Sequence, residues 1–229
     1  MSHRGPEEKR ETREDMLRYL EERGIEDPRV MSAIARVPRD SFVPAEVRDR
    51  AYGRRPLTIG SGQTISTPFI VASMTELLQL SGSERVLEIG TGCGYQTAML
   101  CLLAAEVYSI EIIPEVADFG AQNLARAGLK AHLRVGDGAD GWPERAPFDR
   151  ILLAATSPRI PHSLLQQLTP GGIAIGPEVA DPVPDQDPEE RREVLALYQN
   201  TSAGLKRSVV YGVRFVPMTG KVQESGAVS

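Results

Sequence analysis

The strongest constraint on the fold is a regular alternation of short apolar strands with helices, beginning after Ser83. Residues 85–89 (Arg-Val-Leu-Glu-Ile), 106–110, 131–135 and 149–155 read as strands. Helices at 94–103 and 114–127 separate them, the second closed by Gly128. A helix at 161–168 leads to a fifth strand at 172–175, and 193–199 with 207–216 read as an antiparallel pair. Parallel strands need crossover helices, which cover both faces of the sheet. The expected fold class is α/β: a Rossmann-like, mostly parallel, doubly wound sheet with an antiparallel last strand.

The first 82 residues lack this alternation and read as a helical extension. Residues 1–6 read as a frayed tail and 7–23 as a charged helix, with Met16, Leu17 and Leu20 on its apolar stripe and Gly24 at its end. Asp27 can cap a second helix that opens at Pro28 and carries Val30, Ile34 and Val37 inward. The proline- and glycine-rich segment 38–63 reads as loop, and Thr67-Pro68 opens a third helix. The expected division is 1–82 for the extension, 83–220 for the core and 221–229 for a tail, all in one compact domain. Within the core, the proline-rich acidic stretch 176–190 reads as an exposed loop.

The glycine-rich segment 87–95 (Leu-Glu-Ile-Gly-Thr-Gly-Cys-Gly-Tyr) follows the first strand and opens a helix. Gly90, Gly92 and Gly94 let the backbone approach a ligand, with Thr91 and Cys93 between them, and the helix N-terminus offers free N–H groups. The spacing is G-x-G-x-G, whereas the dinucleotide fingerprint is G-x-G-x-x-G. Glu88, just before the first glycine, would repel a pyrophosphate and can instead face an ammonium or sulfonium charge. Glu111 ends the second strand, where a carboxylate accepts from ribose hydroxyls. Asp137, between Gly136 and Gly138 after the third strand, can accept from an adenine amino group. A salt bridge at Glu111 and an Asx-turn at Asp137 are the plain alternatives. Together these elements favour S-adenosylmethionine over NAD.

The net charge of −5 argues against a broad nucleic-acid or anionic-membrane surface, and Arg48, Arg50, Arg54 and Arg55 read as a solvated face. Cys93 and Cys101 are too few for a disulfide framework, and His3, His132 and His162 stand apart. With no apolar run of membrane length, the expectation is a cytoplasmic monomer.

Several segments in order resemble one family, the protein-L-isoaspartate (D-aspartate) O-methyltransferases. They are 38–44 (Pro-Arg-Asp-Ser-Phe-Val-Pro), 59–68 (Ile-Gly-Ser-Gly-Gln-Thr-Ile-Ser-Thr-Pro), 87–98, Gly136-Asp137-Gly138, Gly141-Trp142-Pro143, 146–149 and 213–217. The resemblance implies a class I S-adenosylmethionine-dependent methyltransferase fold. It also implies methyl transfer to the free carboxylate of L-isoaspartyl and D-aspartyl residues in damaged proteins, followed by collapse to a succinimide. It places Ser66 as the active-site serine and Thr64 and Ile65 beside cofactor and substrate. Cys93, Glu111, Ile112, Asp137, Gly138 and Thr219 fall at cofactor-contact positions. A carboxylate nucleophile is ionised at pH 7 and needs no general base, so Ser66 is read as a hydrogen-bond donor that positions it; the cap of the helix at Thr67-Pro68 is the competing role. Cys93 stands where the family commonly has serine, and the stretch after Ile175 departs from the family's turn. Rival readings are a methyltransferase for one dedicated aspartyl substrate, a silent cofactor-binding relative, and a small-molecule methyltransferase.

Overall fold

The structure, a computed structural model, describes residues 10–181 and 192–221. The expected tails at 1–6 and 222–229, and residues 182–190 of the acidic stretch, lie outside the described residues.

The first helix, α1 (Arg13–Glu22), starts later than expected because Thr12 and Asp15 close a reciprocal capping box. Helix α2 (Pro28–Arg36) is capped by Asp27, whose carboxylate accepts the Arg29 N–H at 2.8 Å. The segment expected to be loop contains two 3₁₀ turns, Arg39–Phe42 and Ala45–Arg50, and an antiparallel hairpin, β1 (Leu57–Gly60) with β2 (Gln63–Ile65). Its two-residue turn is Ser61-Gly62, at φ 49° and 71°, the left-handed pair that matches strand twist. Helix α3 (Pro68–Leu77) then packs onto the core.

The main sheet comprises β3 (Arg85–Ile89), β4 (Glu106–Glu111), β5 (His132–Val135), β6 (Phe148–Leu153), β7 (Leu168–Val179), β8 (Glu193–Thr201) and β9 (Gly204–Val213). Their order is β5-β4-β3-β6-β7-β8-β9. The first five strands run parallel, and the pairings β7–β8 and β8–β9 are antiparallel. Helices α4 (Tyr95–Leu103), α5 (Pro114–Arg126) and the short α6 (His162–Leu165) complete the winding. Strand β7 takes Leu168 from the expected helix and residues 176–179 from the expected loop. Glu178 is fully buried there, its carboxylate receiving the Ile160 N–H (2.8 Å), the Tyr198 hydroxyl (2.7 Å) and Arg207 Nε (2.8 Å).

Strand parity sorts the core into two faces. Val86, Val107, Leu152 and Ile175 meet Met74, Leu78 and Leu100 from α3 and α4 on one face, while Leu87, Ile89, Tyr108, Ile110, Ile151 and Leu153 meet Leu164 and Leu165 of α6 on the other. Among the described residues, no helix is long and apolar enough to cross a membrane.

Candidate active site

A cavity open to solvent lies at the carboxyl ends of β3, β4 and β6. The chain winds away from β3 in both directions there, which is where open α/β sheets take ligands. One wall is the loop Gly90-Thr91-Gly92-Cys93. Gly90, at φ 96°, donates its N–H to the Ile110 carbonyl at 2.8 Å. Glu111 Oε2 accepts the Gly92 N–H at 2.9 Å and Oε1 the Ile113 N–H at 3.1 Å. That carboxylate is thus held by backbone at the cavity edge, with a lone pair left on each oxygen. Burial pushes the Cys93 thiol up to about 11, so it is no thiolate nucleophile at neutral pH.

The facing wall comes from the hairpin and the turn after it, with Gln63, Thr64, Ile65 and Ser66 on the cavity. The cap of α3 falls to Thr67, whose hydroxyl accepts the Ile70 N–H at 3.4 Å. Ser66 is therefore free of the capping role, and among the described residues its hydroxyl has no protein partner. A third wall is the segment Phe215–Thr219, part of which falls in the family-like stretch 213–217 and in which Thr219 alone was expected at the site. It is clipped across the sheet by the Thr156 N–H to Val216 O (2.9 Å) and the Met218 N–H to Thr156 O (2.7 Å). Ala154 and Ala155, directly after β6, also line the cavity; their place at a parallel strand's carboxyl end was the available signal.

Eleven sequence-predicted residues meet here: Thr64, Ile65, Ser66, Gly90, Thr91, Gly92, Cys93, Glu111, Ile112, Gly138 and Thr219. Three do not. Glu88 has the parity of Val86, so it points under α4 rather than into the cavity. Its Oε2 accepts from the Thr97 and Ser109 hydroxyls at 2.6 Å each, while Oε1 is buried without a partner. Burial raises its pKa to about 7 against those two hydrogen bonds. The expectation that Glu88 faces a cofactor charge is corrected accordingly. Gly94 caps α4 at φ 84°, and a Cβ there would stand 3.0 Å from the Gly120 carbonyl oxygen. It serves the close approach of α5 instead of the cavity. Asp137 sits just outside, with Oδ1 accepting the Ala139 N–H and Oδ2 the Lys221 N–H, both at 2.8 Å.

The sequence model of the protein-L-isoaspartate (D-aspartate) O-methyltransferases matches residues 11–223. The chain belongs to this family. It is 49% identical over 214 residues to the protein-L-isoaspartate O-methyltransferase of Myxococcus xanthus, covering 91% of this chain and 96% of that protein. The Methanoculleus marisnigri protein-L-isoaspartate O-methyltransferase is 44% identical over 222 residues, covering 96% and 97%. Among solved structures, one protein-L-isoaspartate O-methyltransferase superposes with a TM-score of 0.79 at 26% identity, over 92% of this chain and 67% of that one. A Plasmodium falciparum protein assigned to the same activity and solved with S-adenosyl-L-homocysteine gives 0.75 at 22% identity, over 91% and 99%, a likeness of fold. The fold is thus that of the class I S-adenosylmethionine-dependent methyltransferases.

Proposed function

We propose that this isoaspartyl methyltransferase family member uses the cavity to transfer a methyl group from S-adenosylmethionine to the free carboxylate of L-isoaspartyl and D-aspartyl residues in damaged proteins, opening repair through a succinimide. The observation that carries the reading is Ser66: it lines the same cavity as the glycine loop and Glu111, and among the described residues its hydroxyl has no protein partner. The cavity fits the cofactor's parts. Glu111 keeps lone pairs for two ribose hydroxyls, Gly90 to Cys93 leave the backbone open, and Ile112 with Gly138 offers an apolar edge for a base. Thr64, Ile65 and Thr219 close the remaining sides, and Asp137, just outside the lining, keeps a further lone pair on Oδ2 that an adenine amino group reaching past Gly138 can use. S-adenosylmethionine, when bound, supplies an electrophilic methyl group on a sulfonium sulfur.

Ser66 donates a hydrogen bond to one oxygen of the incoming carboxylate and leaves the other for attack. The chain removes no proton, because the nucleophile is already ionised at neutral pH. Its contribution is alignment and exclusion of water, both provided by the three walls. We read residues 1–82 as the substrate side of the site, 83–220 as the cofactor side and 221–229 as a tail. The chain acts as a cytoplasmic monomer on isoaspartyl proteins and peptides, with no nucleic-acid or membrane partner; its charge of −5 supports this reading.

The test uses labelled S-adenosylmethionine with an isoaspartyl peptide and its normal aspartyl twin. Label is expected on the isoaspartyl peptide alone. Labelling of neither, with tight cofactor binding, would sink the assignment.

A further inference from the structure

Arg39 opens the 3₁₀ turn after α2 and is fully buried. Its Nε donates to the Ala51 carbonyl at 2.8 Å and its Nη2 to the Ser66 carbonyl at 2.5 Å. The guanidinium lies 4.9 Å from the ring centroid of Tyr95, the first residue of α4. Nη1 is buried without a partner. Among the described residues, the guanidinium meets two carbonyls and a ring face, and no carboxylate.

A buried cation without a counter-charge is costly, and burial depresses the Arg39 pKa. The fold accepts that cost at one particular junction. Ala51 and Ser66 bracket the segment that contains the β1–β2 hairpin, while Tyr95 follows the glycine loop and itself lines the cavity. The rigid fork of one guanidinium therefore ties the substrate wall to the cofactor wall. Methyl transfer depends on the spacing of those two walls, since misplacement by about 1 Å can cost about 100-fold in rate.

We propose that Arg39 is a positioning residue for methyl transfer, holding Ser66 at its working distance from the cofactor loop through the Ser66 carbonyl and the Tyr95 ring. The inference rests on the isoaspartyl reading above, which the wild-type peptide assay tests separately. Arg39→Gln and Arg39→Lys are made in the wild-type and Ser66→Ala backgrounds and assayed below each variant's melting temperature. Turnover of the isoaspartyl peptide and dissociation of S-adenosylmethionine are both measured. In the wild-type background, kcat is expected to fall about tenfold or more for Arg39→Gln, and less for Arg39→Lys, which keeps the charge and a donor nitrogen. Cofactor Kd stays within about threefold, and in the Ser66→Ala background the same substitutions cost less than about twofold. Equal losses in both backgrounds, or a loss that follows cofactor affinity, would overturn the proposal. If Arg39→Gln does not fold, Arg39→Lys carries the comparison. Failure of both to fold assigns Arg39 to the fold alone and also overturns it. A wild-type enzyme that binds cofactor but ignores the isoaspartyl peptide would instead remove the underlying reading.

Discussion

The two walls that face each other across the cavity are built by different means. The strand-end wall follows from the sheet: β3 and β4 pair in register from Arg85↔Glu106 to Ile89↔Ile110, so their ends are level and Glu111 meets the Gly92 N–H. Its parts are held by repeated backbone geometry. The wall formed by residues 63–66 belongs to a small hairpin outside that sheet, seated in the core by Leu57, Ile59 and Ile65 and tied at its end by two side chains, Arg39 and Thr67. A wall held by a sheet suits a ligand that is always the same. A wall hung on a few contacts suits the reacting group of a varied polypeptide, and the two jobs are separable by mutation.

The largest effect is expected at the strand-end wall. Glu111→Ala removes the proposed ribose acceptor and strands the Gly92 and Ile113 N–H groups. S-adenosylmethionine affinity should fall about 100-fold, near 3 kcal/mol, by calorimetry; an unchanged Kd would break the division. At the other wall, Ser66→Ala should lower kcat about 30-fold, one charge-assisted hydrogen bond's worth, with cofactor Kd within about twofold. A matching loss of cofactor binding would merge the two walls into one.

Glu88 sharpens the comparison from behind the cofactor wall. Its folded-state pKa, raised from 4.5 to about 7, means that the folded protein holds the proton more tightly than the unfolded chain. Stability is therefore lost as pH rises from about 4.5 to about 7, with a ceiling of about 3 kcal/mol. Glu88→Gln should raise stability at pH 8 by about 1–2 kcal/mol, and the gain should vanish as pH falls toward 4.5 in denaturant titrations. A gain independent of pH would contradict the buried carboxylate's role. The smallest effect belongs to Thr67→Ala, which loses the α3 cap at a cost of about 0.5–1 kcal/mol in melting experiments. It should leave kcat within about threefold, the reverse of Ser66→Ala.

The parallel core was readable because each strand and helix carries its own periodicity. Its β3 and β5 bounds fall within a residue of expectation, 85–89 and 132–135. The glycine loop and Glu111 were readable for the same reason, being fixed to strand ends. Glu88 misled because nearness in sequence to Gly90 says nothing of strand parity, which turns its side chain under α4 to Thr97 and Ser109. The β1–β2 hairpin was missed because Ser61-Gly62 is a weaker turn signal than Asn-Gly or Asp-Gly. Strand β7 outran its expected end because Glu178, a loop residue by composition, is ion-paired with Arg207 of β9 and accepts the Tyr198 hydroxyl of β8. The place of Ser66 on the cavity was legible only through its surrounding motif, since no local pattern marks a hydroxyl left free by its neighbour's cap.

The clipped segment at Phe215–Thr219 bears on how the protein matures. Gln63 and Thr219 line one cavity although far apart in the chain, so a nascent or proteolytically nicked chain lacking 215–219 has the strands without the complete hollow. Ligand at 100 times its Kd adds about 2.7 kcal/mol only to a chain that can bind it. Capture of the small molecule then distinguishes finished copies from unfinished ones, a form of self-inspection in an enzyme whose proposed targets are themselves damaged proteins.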